Sequence, residues 1–405
     1  MRGFLISTAV LAQVAVLLAS ASALARPEYA AKEKVSCVSC HVSPWGGGPR
    51  TVFGKVYGTH GLPGSLTTFT DVFYGDLRGI AFYPFTQTSQ RTNGTALMDA
   101  AASADVPVVR GTDGSDLRTV VTYNVSSLAG SNVREAYVRY RPSAPDEHET
   151  IWTLGHINAP FGLLTDEHRT YTRIQTDMTL NNFDTGAAYS REFVHDLHLD
   201  LALLNDFQSG GSFTAQGMAY GVVGNMRWNP SSLPFLLGLS AAYEHTTIFS
   251  EPYAGSLYCI LSLDRLTDDK VSASLSLESV AARNWNNPGV NTGSINPGLV
   301  TFFLPNPSLA ASYLTTTSLG NMALAKYWLN PHWYVLYKFD YLALDVRRLG
   351  SSYTRHGVGS EVWLDPNLSL SARVEFATTP HLGGTAFDPS LAVENDFFAM
   401  FRLWL

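Results

Sequence analysis

From about Asp71 to the C-terminus the sequence alternates apolar and polar residues in runs of about ten. That pattern confines the fold more than any other feature. Leu197, Leu199, Leu201 and Leu203 alternate with Asp196, His198, Asp200 and Ala202. Val271, Ala273, Leu275 and Leu277 alternate with Ser272, Ser274, Ser276 and Glu278. Leu368, Leu370, Ala372, Val374 and Phe376 alternate with Ser369, Ser371, Arg373 and Glu375. Successive side chains of a strand point to opposite faces, so each run has one apolar and one polar face. Long strands of this kind are the pattern of a transmembrane β-barrel, whereas a soluble sandwich shows it in shorter strands. Trp228, Trp328, Trp333 and Trp363 lie near strand ends and fit the aromatic girdles of such a barrel.

Composition narrows the class further. Only 15% of the 405 residues are charged, 12% are aromatic, and the net charge is −7. That is too apolar for a disordered chain, and too acidic for a nucleic-acid binder. A soluble enzyme is typically about a quarter charged. After the first 25 residues, no stretch approaches the ~20 continuous apolar residues of a spanning helix.

Reading forward, strands are expected near 72–83, 117–127, 133–142, 150–158, 168–178, 185–193, 196–207 and 214–228. The second half gives 233–247, 255–265, 270–282, 318–329, 332–345, 354–364, 367–378 and 394–405. The total, about sixteen, is even, as a single-chain barrel requires. Gly130-Ser131-Asn132, Asn229-Pro230, Asn330-Pro331 and Asp365-Pro366-Asn367 are expected as short periplasmic turns, and 84–116 and 283–317 as the longest external loops.

The N-terminus bears on compartment. Arg2 precedes an apolar run from Phe4 to Leu18 and a small-residue stretch ending Ala23-Leu24-Ala25, the form of a signal peptide cleaved after Ala25. The expected division is a signal peptide over 1–25, a short segment over 26–70 and a barrel over 71–405.

The short segment carries the sharpest motif, Cys37-Val38-Ser39-Cys40-His41. C-x-x-C-H is the attachment motif of c-type haem: two thiols bond the vinyl groups, and the adjoining imidazole is the proximal ligand. A redox dithiol usually follows a strand in a βαβ unit, and a zinc site needs further ligands. One covalent haem c is therefore expected on Cys37, Cys40 and His41. His60 is the other histidine before the barrel and the first candidate for the distal ligand, with His198 of the barrel as the alternative. Arg50 or Lys55 could pair with haem propionates, and Trp45, Phe53 and Tyr57 could wall the cofactor. About 45 residues build little core alone, so the haem segment is expected to plug the barrel lumen. Asp166-Glu167-His168 is not expected to hold a metal, because strand neighbours face opposite ways. Cys259 alternates with Leu257 and Leu261 and is expected to face lipid.

A signal peptide, one C-x-x-C-H and then a barrel resembles the fused outer-membrane cytochrome–porins, which include bacterial iron oxidases. The terminal strand resembles the recognition signal of outer-membrane proteins, though that signal usually ends in Phe rather than Leu405. The resemblance implies a Gram-negative outer membrane, with electrons passing between an extracellular metal or other redox partner and periplasmic cytochromes. Oxidation of extracellular ferrous iron is one activity it implies. The competing reading is a diffusion porin with an N-terminal plug or metal-binding appendage.

Overall fold

The computed structural model describes Ala30, Val35 and residues 37–41, 43 and 54. It describes residues 72–404 apart from 86–92, 127–129, 143–148, 166–169, 177, 179–182, 195, 206–219, 231, 246–250, 268–269, 285–316, 344, 348–351, 366–367 and 379–395.

The alternating runs form one closed antiparallel barrel of sixteen strands. The first eight are β1 (Phe73–Pro84), β2 (Gly94–Arg110), β3 (Asp116–Ser126), β4 (Gly130–Arg141), β5 (Thr150–Asn158), β6 (Phe183–Val194), β7 (Leu197–Leu204) and β8 (Tyr220–Trp228). The rest are β9 (Phe235–His245), β10 (Tyr253–Ser262), β11 (Ala273–Arg283), β12 (Thr317–Asn330), β13 (Trp333–Ala343), β14 (Ser352–Asp365), β15 (Leu368–Thr378) and β16 (Asp396–Trp404). Each strand pairs with its sequence neighbours, and β16 closes on β1 in a register running from Asp76 opposite Trp404 to Pro84 opposite Asp396. Closure leaves no strand edge unpaired, the condition for a sheet in hydrocarbon.

The faces sort as the alternation dictates. On β10, Ala254, Ser256, Tyr258, Ile260 and Ser262 turn inward and are buried, while Tyr253 and Leu257 are exposed outside. Leu154 and Leu257 are 66% and 62% exposed, a poor arrangement in water and the required one in a bilayer. Phe73, Tyr140, Trp152, Trp228 and Tyr327 are exposed near one rim, and Tyr83, Tyr220, Tyr253, Phe376 and Phe397 near the other. These are the two aromatic girdles. Trp228 belongs to one of them, whereas Trp328 and Trp363 are corrections: Trp328 packs on an inner apolar cluster and Trp363 is buried.

The sixteen arises with two further corrections. The expected loop 84–116 contains β2, closed by a turn in which Gly111 N–H donates to the Ser115 carbonyl at 2.8 Å and Gly114 adopts φ of 82°. The strand was hidden because its outward residues are mainly Ala100, Ala102 and Ala104, and because Pro107 sits within it at a register shift. Conversely, the described residues of 168–178 form no strand. That stretch lies in the connection from β5 to β6 and contains a short helix, Tyr171–Thr176. One strand is gained and one lost, so sidedness reverses only between them. The connection before Gly130-Ser131-Asn132 lies at the long-loop rim, opposite to expectation, whereas 195–196, 229–234, 331–332 and 366–367 share the other rim with both barrel ends.

Candidate cofactor-binding site

A single helical turn, α1 (Cys37–Cys40), organises the motif. The His41 N–H donates to the Cys37 carbonyl at 2.8 Å, closing the turn. Spacings of three and four place Cys37, Cys40 and His41 on one side of it. Two thiols and an imidazole on one face is the arrangement covalent haem attachment requires. Gly54 packs against this turn so closely that a Cβ there would collide with the Cys40 carbonyl. Any larger residue would push the chain away from the motif.

The turn is docked on the inner barrel wall. Arg227 Nη1 of β8 donates to Cys37 Sγ at 2.7 Å, and Asn229 Nδ2 to the Ala30 carbonyl at 2.9 Å. Both residues stand at the short-turn end of β8. Arg227 is anchored in turn by Asp200 of β7, whose Oδ2 it reaches at 2.9 Å. Asp200 is fully buried and accepts from the Ser190 hydroxyl at 2.8 Å and from Asn225 Nδ2 at 3.4 Å, and His198 Nε2 lies 2.9 Å from its Oδ1. Asn225 Oδ1 accepts from Ser240 and Tyr258. One connected network therefore runs across β6–β10 to the thiol of Cys37. A carboxylate buried this deeply is tolerable only because charge and hydrogen bonds surround it.

Beside this network the lumen is apolar. Leu236, Tyr258, Ile260, Met322, Leu324, Tyr334 and Leu336 turn inward from β9, β10, β12 and β13 and form a buried cluster with Leu163, with Trp328 against it. A water-filled pore has a polar interior; part of this inner wall is apolar instead, and it joins the network of the turn through Tyr258. The residues present thus fit a covalent haem.

The lumen is also crossed by the β5–β6 connection, which supplies Leu163 to the apolar cluster, and by its helix, α2 (Tyr171–Thr176). Gly162 N–H donates to Ser240 Oγ and Leu163 N–H to Glu278 Oε1, both at 2.8 Å. Thr172 Oγ1 reaches Glu278 and Gln175 Nε2 reaches Ser318. The Arg355 guanidinium lies 4.5 Å from the centre of the Tyr171 ring. Phe161 and Met178 pack on Ala188, Ala202, Ala242 and Ala254, whose small side chains leave room for the segment. It narrows the passage from within.

The structure thus brings Cys37, Cys40 and His41 together. His60, Arg50, Lys55, Trp45, Phe53, Tyr57 and Asp166-Glu167-His168 lie outside the described residues. Cys259 shares the outward face with Leu257. Among the described residues no group of three or more His, Cys, Asp or Glu side chains is placed to hold a metal ion. Sequence reasoning missed Arg227 and Asp200; the available signal was an acid and a base at inward positions of adjacent leucine-rich and aromatic strands.

No family model and no curated protein matches this chain. Solved structures do. OmpF of Salmonella typhi, in complex with daunomycin, superposes with a TM-score of 0.58 at 13% identity, over 82% of this chain and 97% of that one. The outer-membrane channel DcaP of Acinetobacter baumannii gives 0.56 at 8%, over 83% and 97%. The anion-selective porin of Comamonas acidovorans gives 0.55 at 9%, over 82% and 98%. Identity this low speaks for fold alone: the chain has the sixteen-stranded barrel fold of bacterial outer-membrane porins.

Proposed function

We propose that this protein is an outer-membrane electron conduit, in which a c-type haem on Cys37 and Cys40 sits in the lumen of the porin-fold barrel. The observation that carries the reading is the docking of the C-x-x-C-H turn onto the inner wall through Cys37 and Arg227, beside an apolar lumenal cluster. Cys37 and Cys40 would hold the group by adding their thiols across its vinyl double bonds, sulfur to one carbon and hydrogen to the other, which needs no external oxidant. The haem supplies a one-electron couple at its iron. His41 would provide the proximal nitrogen and the apolar cluster would keep water from the ring, while the Asp200–Arg227 pair fixes the turn against β8. The partners that fit are an extracellular donor or acceptor, ferrous iron among them, and periplasmic cytochromes.

Pyridine haemochrome analysis of the detergent-solubilised protein tests this, before and after addition of ferrous iron. One covalent haem per chain, reduced by iron, is the expected result. Cys37→Ala with Cys40→Ala abolishes the haem and leaves a heat-modifiable barrel. Absence of haem from the matured wild-type protein sinks the reading.

A diffusion porin with an N-terminal plug is the second reading, and it is the one that likeness of shape to solved channels and porins favours. Liposome swelling separates the two. Rapid sugar entry through haem-free protein supports diffusion; its absence, with haem bound, supports the conduit.

A further inference from the structure

We infer that His198, on the inner wall of β7, is the second axial ligand of the haem, with Asp200 as the residue that positions its ring. The inference rests on the haem reading above and adds a residue that the barrel, not the leading segment, contributes.

His198 lies directly across the β7–β8 ladder from Arg227, and Arg227 touches Cys37 Sγ at 2.7 Å. The histidine therefore stands on the wall where the turn docks. It is 8% exposed. Its Nε2 is 2.9 Å from Asp200 Oδ1, and its Nδ1 is buried with no hydrogen-bond partner among the described residues. Histidines that bind metal characteristically donate one ring N–H to a carboxylate, which fixes the tautomer and leaves the other nitrogen's lone pair directed at the metal. Asp200 cannot swing away, because Ser190, Asn225 and Arg227 also hold it. A buried ring nitrogen without a partner is otherwise a net cost to the fold. An iron bound at that nitrogen would remove the cost.

The test is the spin state of the haem in the full-length, detergent-solubilised protein, read by optical and electron paramagnetic resonance spectra. Wild-type protein is expected to be six-coordinate and low spin. His198→Ala gives a high-spin spectrum with the haem still covalently bound, and added imidazole restores the low-spin form. His198→Met, which keeps a ligand, stays low spin with a raised midpoint potential. Asp200→Asn shifts the potential without loss of ligation. His60→Ala leaves the spectrum unchanged. A high-spin wild type, or a low-spin His198→Ala without imidazole, overturns the assignment. Absence of haem in wild-type protein instead overturns the prior reading, so the two failures are told apart.

Discussion

The two sides of the lumen are built from different chemistry. Around the β1–β16 seam, from β13 through β4, the inner wall is a ladder of fixed ion pairs. Arg402 and Arg78 both reach Asp76 at 2.7 Å, Arg118 reaches Asp105 at 2.7 Å, Arg134 reaches Asp99 at 2.9 Å, and Arg355 and Lys338 converge on Asp340 at 2.9 and 3.0 Å. The opposite wall, β6–β11, is lined by Ala188, Ala202, Ala242, Ala254, Ser240, Ser256 and Ser276, all buried. Among its described residues the principal charge pair is Asp200–Arg227. The C-x-x-C-H turn docks on this small-residue side, while the crossing segment bridges the two, reaching Ser240 and Glu278 on it and Asp340 and Arg355 on the ladder. The ladder wall spends most of its charge on itself; the small-residue wall leaves space and hydrogen bonds for the turn.

Breaking the ladder should produce the largest effect on stability. Arg355→Ala strips Asp340 and Glu375 of a shared cation and removes the contact over Tyr171, an expected cost of about 3–5 kcal/mol for a half-emptied buried pair. The urea midpoint of the folded barrel, followed by heat-modifiable migration, measures it. On the opposite wall Arg227→Ala should cost less, about 1.5–3 kcal/mol for a charged hydrogen bond, because Asp200 keeps Ser190 and His198. Its larger consequence is release of the turn, seen as faster alkylation of Cys37 in protein without cofactor. If Arg227→Ala destabilises the barrel as much as Arg355→Ala, the contrast between the walls fails.

Gly54→Ala sharpens the comparison differently. The new methyl group collides with the Cys40 carbonyl, so thiol exposure and haem stoichiometry change while the urea midpoint does not. A shifted midpoint would mean that the turn helps hold the barrel together. The smallest effect is expected for Cys259→Ser, on the outward face of β10: about 1 kcal/mol or less, with an unaltered haem spectrum.

What the sequence disclosed depends on what each residue had to satisfy. Strands β7, β10 and β11 were legible because hydrocarbon demands large apolar residues at every second position, and Leu199, Leu257 and Leu277 supply them. Strand β2 was not, since alanines meet the same demand without standing out from a loop. Tyr171–Thr176 was misread for a related reason. A segment enclosed by protein answers to individual partners, here Asp340, Glu278 and Ser318, and those impose no period. The motif itself was plain, because Cys37, Cys40 and His41 are bound together by local spacing. Its dock was not, because Arg227 lies 190 residues further along the chain.

The seam and the dock also set a timetable. Strand β8 stands half-way round the barrel from the β1–β16 junction, and the turn that rests on it precedes β1. A chain emerging from its N-terminus presents the turn first, the strands that receive it next, and the strand that shuts the barrel last. In chain order, then, the turn that rests on the far wall precedes every strand, and the strand that shuts the barrel follows them all.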